Sequence, residues 1–153
     1  MIPQEVIDVT QGSYIAYLGS RDDNFTPAVR VAWGIGFKPA EDMVTGFVVD
    51  ANYDQMLKNF RQNGRIALTY SDNFTHVAYQ LKGQFLQARP LTEAEAIRQQ
   101  QYVRTLIDVL LQMGFPEERV NAVVCLADLA IDIRVEKIFN QTPGPGAGKE
   151  ITF

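Results

Sequence analysis

The chain has 153 residues, 46% hydrophobic and 21% charged, with a formal net charge of -4. That is enough to bury one core in a single domain. The acidic balance argues against nucleic acid, which needs a basic footprint. No run approaches the roughly 20 apolar residues that span a bilayer.

A small molecule or a protein is therefore the expected partner. Met1 to Glu5 holds no basic segment followed by an apolar one, so neither secretion nor membrane insertion is expected. The single cysteine, Cys125, allows no intramolecular disulfide, which fits a cytoplasmic address. It lies in the apolar run Val123-Val124-Cys125-Leu126, where core packing is its expected role.

In chain order, a short amphipathic helix is expected first: Pro3 suits an opening turn, Val6, Ile7 and Val9 form an apolar side, and Gly12 closes it. Ser13 to Gly19 reads as a strand ended by the turn Ser20 to Asn24. The next strand, Ala28 to Phe37, alternates large apolar residues (Val29, Val31, Trp33, Ile35, Phe37) with Ala28, Arg30, Ala32, Gly34 and Gly36. One face should pack a core and the other should be nearly flat, with Arg30 as its one cation. Glycine within a strand often marks close approach of a ligand or another backbone. Equally, a helix or a second subunit can cover that face, with Arg30 in an ion pair.

Met43 to Val49 continues the meander, and Asp50 to Asp54 leads into a helix with Met56, Leu57 and Phe60 on one face and Gly64 as its stop. Arg65 to Tyr70 and His76 to Gln87 read as further strands, the second alternating in the manner of a half-buried antiparallel strand. Thr92-Glu93-Ala94-Glu95 is a capping box opening the one long helix, which runs to Gly114. Pro116 opens a short helix toward Ala127, and Ala130 to Phe139 is the last strand. About six strands with inserted helices favour a mostly antiparallel barrel in one domain, 1–153, over a doubly wound sheet.

The catalytic sets are sparse. His76 is the only histidine, so no multi-histidine metal site can form, and a structural hydrogen-bonding role is expected of it. Gly34-Ile35-Gly36 lacks the third glycine and the helix of a dinucleotide fingerprint. No catalytic residue and no metal ligand can be named. Redox work remains open, because a borrowed cofactor carries the hard chemistry.

Five segments, GSYIAYLG (12–19), PAVR (27–30), NGRIAL (63–68), AYQLKG (78–83) and FNQTPGPGAG (139–148), together resemble the FMN-binding split barrels related to pyridoxamine 5'-phosphate oxidase. The resemblance covers nearly the whole chain, and the ending is similar to that of a bacterial branch distinct from the vitamin B6 oxidases. It implies a six-stranded antiparallel split barrel, usually a homodimer, with one FMN in each of two interface clefts. On it, Arg30 contacts the flavin phosphate or ring and the main chain of Val31 and Ala32 runs beside the isoalloxazine. Where such proteins commonly carry Ser-Arg-Lys at a helix start, this chain has Asp54-Gln55-Met56. Lys58, Arg61 and Lys82 are then the cations available to compensate. The glutamine placed near the flavin by the oxidases falls at Ala78, with Gln80 on the same face.

Two functions follow from the resemblance: a flavin-dependent oxidoreductase acting on a small molecule, or a non-enzymatic binder of a small ligand that has lost the phosphate cradle. A purely structural interaction domain is the bland alternative. Vitamin B6 oxidation is not expected, because it needs a second phosphate site and no second basic cluster is evident. Residues 140–153 are expected to form an ordered arm along the dimer cleft, anchored by Ile151 and Phe153, the alternative being a disordered tail. Gly146 to Lys149 keeps the donors for a small anion nest.

Overall fold

The structure, a computed structural model, describes residues 1–50 and 54–153; the expected helix lead-in at Ala51, Asn52 and Tyr53 lies outside them. A short helix, α1 (Gln4–Asp8), passes through a 3-10 turn (Val9–Gln11) into strands β1 (Tyr14–Arg21), β2 (Pro27–Ala32), β3 (Ile35–Lys38) and β4 (Met43–Val48). Helix α2 (Asp54–Asn63) leads to β5 (Arg65–Asp72) and β6 (Ala78–Pro90). Helices α3 (Glu93–Gln112) and α4 (Glu117–Val123) precede β7 (Leu129–Asn140) and the short β8 (Glu150–Ile151).

Every ladder is antiparallel, in the order β2-β1-β5-β6-β7-β4-β3, with β8 added to β7. The path begins with β2 and ends with β3, which follow one another in sequence, so the sheet closes into a barrel. Counting β2 and β3 as one bent strand gives the six expected barrel strands. The long β6–β7 ladder carries register shifts at Lys82/Gly83 and Phe85/Gln87, which let it curve. A Cβ at Gly83 would stand 1.9 Å from the Arg134 carbonyl oxygen, so this bulge admits only glycine. Inside lie Ala16, Leu18, Leu68, Tyr70, Leu81, Ile131, Ile133 and Ile138, all buried.

The bend between β2 and β3 corrects the reading of Ala28 to Phe37 as one strand. Gly34 takes φ +116, a region that favours glycine. The flanking chain is pinned to β4, the Trp33 amide donating to the Phe47 carbonyl (2.7 Å) and the Phe47 amide to the Gly34 carbonyl (3.0 Å). Alternation holds only along an unbroken ladder, and here the bend reverses it. Ala32 is buried before the bend and Ile35 after it, while Val29 is 55% exposed. In β2 the small residues thus face inward and the valines outward.

Local signals are otherwise expressed as read. In α2, Met56 and Phe60 are buried, and Gly64, at φ +67, donates its amide to the Phe60 carbonyl as the stop. Thr92 and Glu95 form the reciprocal capping box of α3. Gln99, Tyr102, Val103, Leu106 and Val109 turn that helix inward, leaving Ile97 exposed.

Cys125 departs from expectation: it is exposed, as are Val123 and Leu126. The reason is that α4 stops at Val123, so the apolar run has no helical face to bury.

The C-terminal segment folds back. β8 pairs Ile151 with Ile138 and Glu150 with Phe139. Ile151 packs against the core, while Phe153 is 37% exposed. The amides of Ala147, Gly148 and Lys149 donate to the carbonyls of Gly144, Asn140 and Gly146. Those donors are taken up internally, so the expected anion nest does not form.

Candidate functional site

The outward faces of five strands meet in one surface. Tyr17 stands opposite Val31 and Thr69, Thr69 opposite Gln80, and Gln80 opposite Phe139. In the adjoining row Gly19 stands opposite Val29 and Ala67, Ala67 opposite Lys82, and Lys82 opposite Lys137. Because Gly19 and Ala67 are small, the second row sinks into a groove of about 510 Å³, lined also by Pro27, Arg21, Arg65 and Glu136. Its size is within the range of small-molecule sites.

The groove is cationic, with Arg21, Arg65, Lys82 and Lys137 against the one carboxylate of Glu136 in its lining. Arg65 is held by Glu136 (3.3 Å) and Lys137 by Glu150 of β8 (3.2 Å). The Arg21 guanidinium lies 4.4 Å from the centre of the Phe25 ring. Lys82 has an aromatic partner, its Nζ lying 4.7 Å from the Phe139 ring centre, and no carboxylate among the described residues. Arg21 likewise has no carboxylate partner among the described residues, but its Nη1 donates to the Asp22 carbonyl at 3.1 Å, so Lys82 is the less engaged of the two. Gln80 is fixed beside it, its Nε2 donating to Thr69 Oγ1 at 3.0 Å.

Val31, Gln80 and Lys82 are therefore brought onto one face. Arg30 and Ala32 are not, since they stand opposite Leu18 and Ala16, whose side chains are in the core. Ala32 is buried, and Arg30 is exposed, with Nη1 donating to the Val29 carbonyl at 3.0 Å. Lys58 is exposed on α2, away from that helix's buried side, where Asn59 Nδ2 donates to Ser20 Oγ at 2.9 Å. His76 sits exposed in the β5–β6 turn at φ 60, its amide donating to the Asp72 carbonyl, and does not line the groove. Arg21, Arg65 and Lys137, which the sequence does not mark as site residues, line it. Strand alternation alone puts them outside; only register across β1, β5, β6 and β7 gathers them.

No protein-family model matches the sequence, and no curated protein is similar to it. Solved structures do match over nearly the full length. HupZ of Group A Streptococcus is 18% identical, with a TM-score of 0.58 over 97% of this chain and 100% of its own. An F420 reductase is 11% identical, with a TM-score of 0.56 over 90% of this chain and 98% of its own. A candidate pyridoxamine 5'-phosphate oxidase of Lactobacillus delbrueckii is 14% identical, with a TM-score of 0.55 over 90% of this chain and 93% of its own. The fold is the split barrel of the pyridoxamine 5'-phosphate oxidase-like proteins. At these identities the likeness is one of fold, and the chemistry of this split barrel has to be argued from its groove. Among the described residues, no helix is long and apolar enough to cross a membrane.

Proposed function

We propose that the protein binds a flavin-type cofactor, FMN, in the groove on the outer face of β1, β5 and β6, and acts there as an oxidoreductase on a small molecule. The observation that carries this reading is the pairing of a flat floor, Gly19 and Ala67, with a cation, Lys82, that has no carboxylate partner among the described residues. Two of the similar folds, the F420 reductase and the candidate oxidase, carry redox names. The residues fit such a group. Small side chains leave room for a planar ring, Val29 and Val31 offer apolar contact, and Lys82 with Arg65 can hold a phosphate by charge-assisted hydrogen bonds.

A bound flavin supplies hydride or electron transfer, while the protein supplies binding and orientation. Lys82 contributes charge at the phosphate end, and Gln80, held by Thr69, is a fixed polar contact at the margin. The groove is open on one side, so exclusion of water calls for a second copy of the chain over it. In this proposal the unit is one domain, 1–153, paired as a homodimer. Residues 140–153 form an arm along the shared cleft, with β8 presenting Glu150 to Lys137.

The competing reading, a binder without turnover, is favoured by a groove in which Glu136 is the one carboxylate and no histidine appears among the described lining residues. Titrating the protein with FMN tests the first step: saturable quenching of flavin fluorescence is expected, weakened about tenfold in Lys82→Met, as befits one lost charge contact of about 1.4 kcal/mol. Arg30→Ala, on the other side of β2, should weaken binding less. NADH oxidation by the flavin-loaded protein separates enzyme from binder.

A further inference from the structure

A second cavity, of about 400 Å³, lies between α3, the 3-10 turn and the starts of β1 and β3, away from the flavin groove. Its lining includes Thr10, Gln11, Tyr14, Arg98, Gln101 and Tyr102, and among the described residues that line it there is no carboxylate and one charged group, Arg98. Among the described residues Arg98 makes no ion pair and no hydrogen bond. Arg98 stands between two depressions: its Nη1 lies 3.7 Å from where a Cβ on Gly36 would stand, in the adjacent groove, while its charge also acts on the Tyr14 phenol of this cavity.

The two phenols are incompletely used. Tyr14 Oη accepts the Ile35 amide at 3.0 Å, which leaves its own proton to donate. The buried Tyr102 hydroxyl has no hydrogen-bond partner among the described residues. Such a group costs about 1–3 kcal/mol when left unmet, and native exceptions call for an explanation. Burial raises the pKa of both phenols, so both stay protonated and act as donors.

Two of the nearby carboxylates are already paired. Glu95 and Asp132, in the adjacent groove that shares Arg98, are held by Arg89 at 2.7 and 2.8 Å. Glu41 lines that adjacent groove, not this cavity. At the margin by Gly12, Asp72 accepts the amides of Phe74 and Thr75 through Oδ1, while its Oδ2 is the oxygen turned toward Gly12, 3.2 Å from where a Cβ there would stand.

We propose that this cavity binds a small oxyanion, a carboxylate or a phosphate, held by the Arg98 guanidinium with the Tyr14 hydroxyl, the Gln101 amide and the Tyr102 hydroxyl as donors. An arginine fork suits either headgroup, and the polar lining suits a hydroxylated ligand over an apolar one. The site goes beyond the flavin reading and does not depend on it.

The test is calorimetric titration of the full chain with inorganic phosphate and, separately, citrate. Saturable binding of one or both is expected, and which one binds identifies the headgroup. Arg98→Met should weaken binding by about tenfold or more and Tyr102→Phe by roughly threefold, the usual range for a charged and a neutral contact. Both variants should melt no lower than the parent, since among the described residues neither side chain makes a hydrogen bond or an ion pair. Lys82→Met should leave binding unchanged, which separates this site from the flavin groove. The proposal is overturned if neither probe saturates in the millimolar range, if binding survives Arg98→Met, or if Lys82→Met abolishes it.

Discussion

Acid should weaken the attachment of the long helix to the barrel, and Glu95 is the group through which to measure it. Arg89 sits between α3 and the sheet, giving two hydrogen bonds to Glu95 (2.7 and 2.8 Å) and two to the buried Asp132 (2.8 and 2.9 Å). Thr45 and Gln87 complete the shell of Asp132, each at 2.8 Å. The Arg89 hydrogen bonds, aided by those from Thr92, hold the Glu95 pKa down from 4.5 to about 2. At 1.36 kcal/mol per unit, a gap of that size is worth about 3 kcal/mol. The Glu95 side chain is 17% exposed, so solvent screening removes little of it.

Because the folded pKa is the lower one, this stability is complete above the unfolded value and disappears as pH falls from there through the folded value. Near pH 3 about 2 kcal/mol of it should be gone. Glu95→Gln deletes the titration. Urea melts of parent and variant should therefore differ by about 3 kcal/mol at pH 7 and only about 1 kcal/mol at pH 3. Asp72, also held below the usual carboxylate range, makes no contact with Arg89 and cancels in the difference, whereas Asp132 shares Arg89 with Glu95, so a third chain, Asp132→Asn, is melted alongside to separate its titration. A gap between parent and variant that does not change with pH would refute the reasoning.

Three further outcomes are expected. Gly83→Ala should cost about 3 kcal/mol or more, because its new Cβ meets the Arg134 carbonyl at 1.9 Å. Its melting temperature should fall by roughly 6–12 °C, and a parent-like melt would show that the bulge can relax. Tyr102→Phe removes an unbonded buried hydroxyl, so its thermal midpoint should equal or exceed the parent's; a clear drop would reveal a missing partner. Ending the chain after Thr142 keeps the Thr142 Oγ1 contact with the Ala78 amide but removes β8 and the packing of Ile151. The loss should be about 1–2 kcal/mol, with weaker FMN binding if the arm borders the cleft. Unchanged melting and affinity would leave the arm without either role.

Much of the fold was legible because its signals are local. Thr92 and Glu95 lie within one turn, and the stop at Gly64 needs only the residue before it in the helix. Alternation in β5 and β6 likewise requires a single strand. The reading failed where a ladder breaks: at Gly34 the pattern of Val29, Val31, Trp33, Ile35 and Phe37 looks continuous, yet the chain bends to meet Phe47 and its inward side changes parity. Upstream of that bend Val31 shares the outer face with Tyr17, while Arg30 lies on the side of Leu18. The groove's other cations were hidden for a related reason, since nothing near Arg21 in sequence announces that Arg65 and Lys137 will line the same depression. Cys125 sits in an apolar run that no element carries, so its hydrophobic neighbours do not bring burial.

The most direct measurement of the central claim is the visible absorption spectrum of the protein as purified and after incubation with FMN and desalting. Retained flavin bands at close to one FMN per chain, lost or much reduced in Lys82→Met, are predicted. A parent protein that stays colourless after reconstitution would contradict the flavin reading outright.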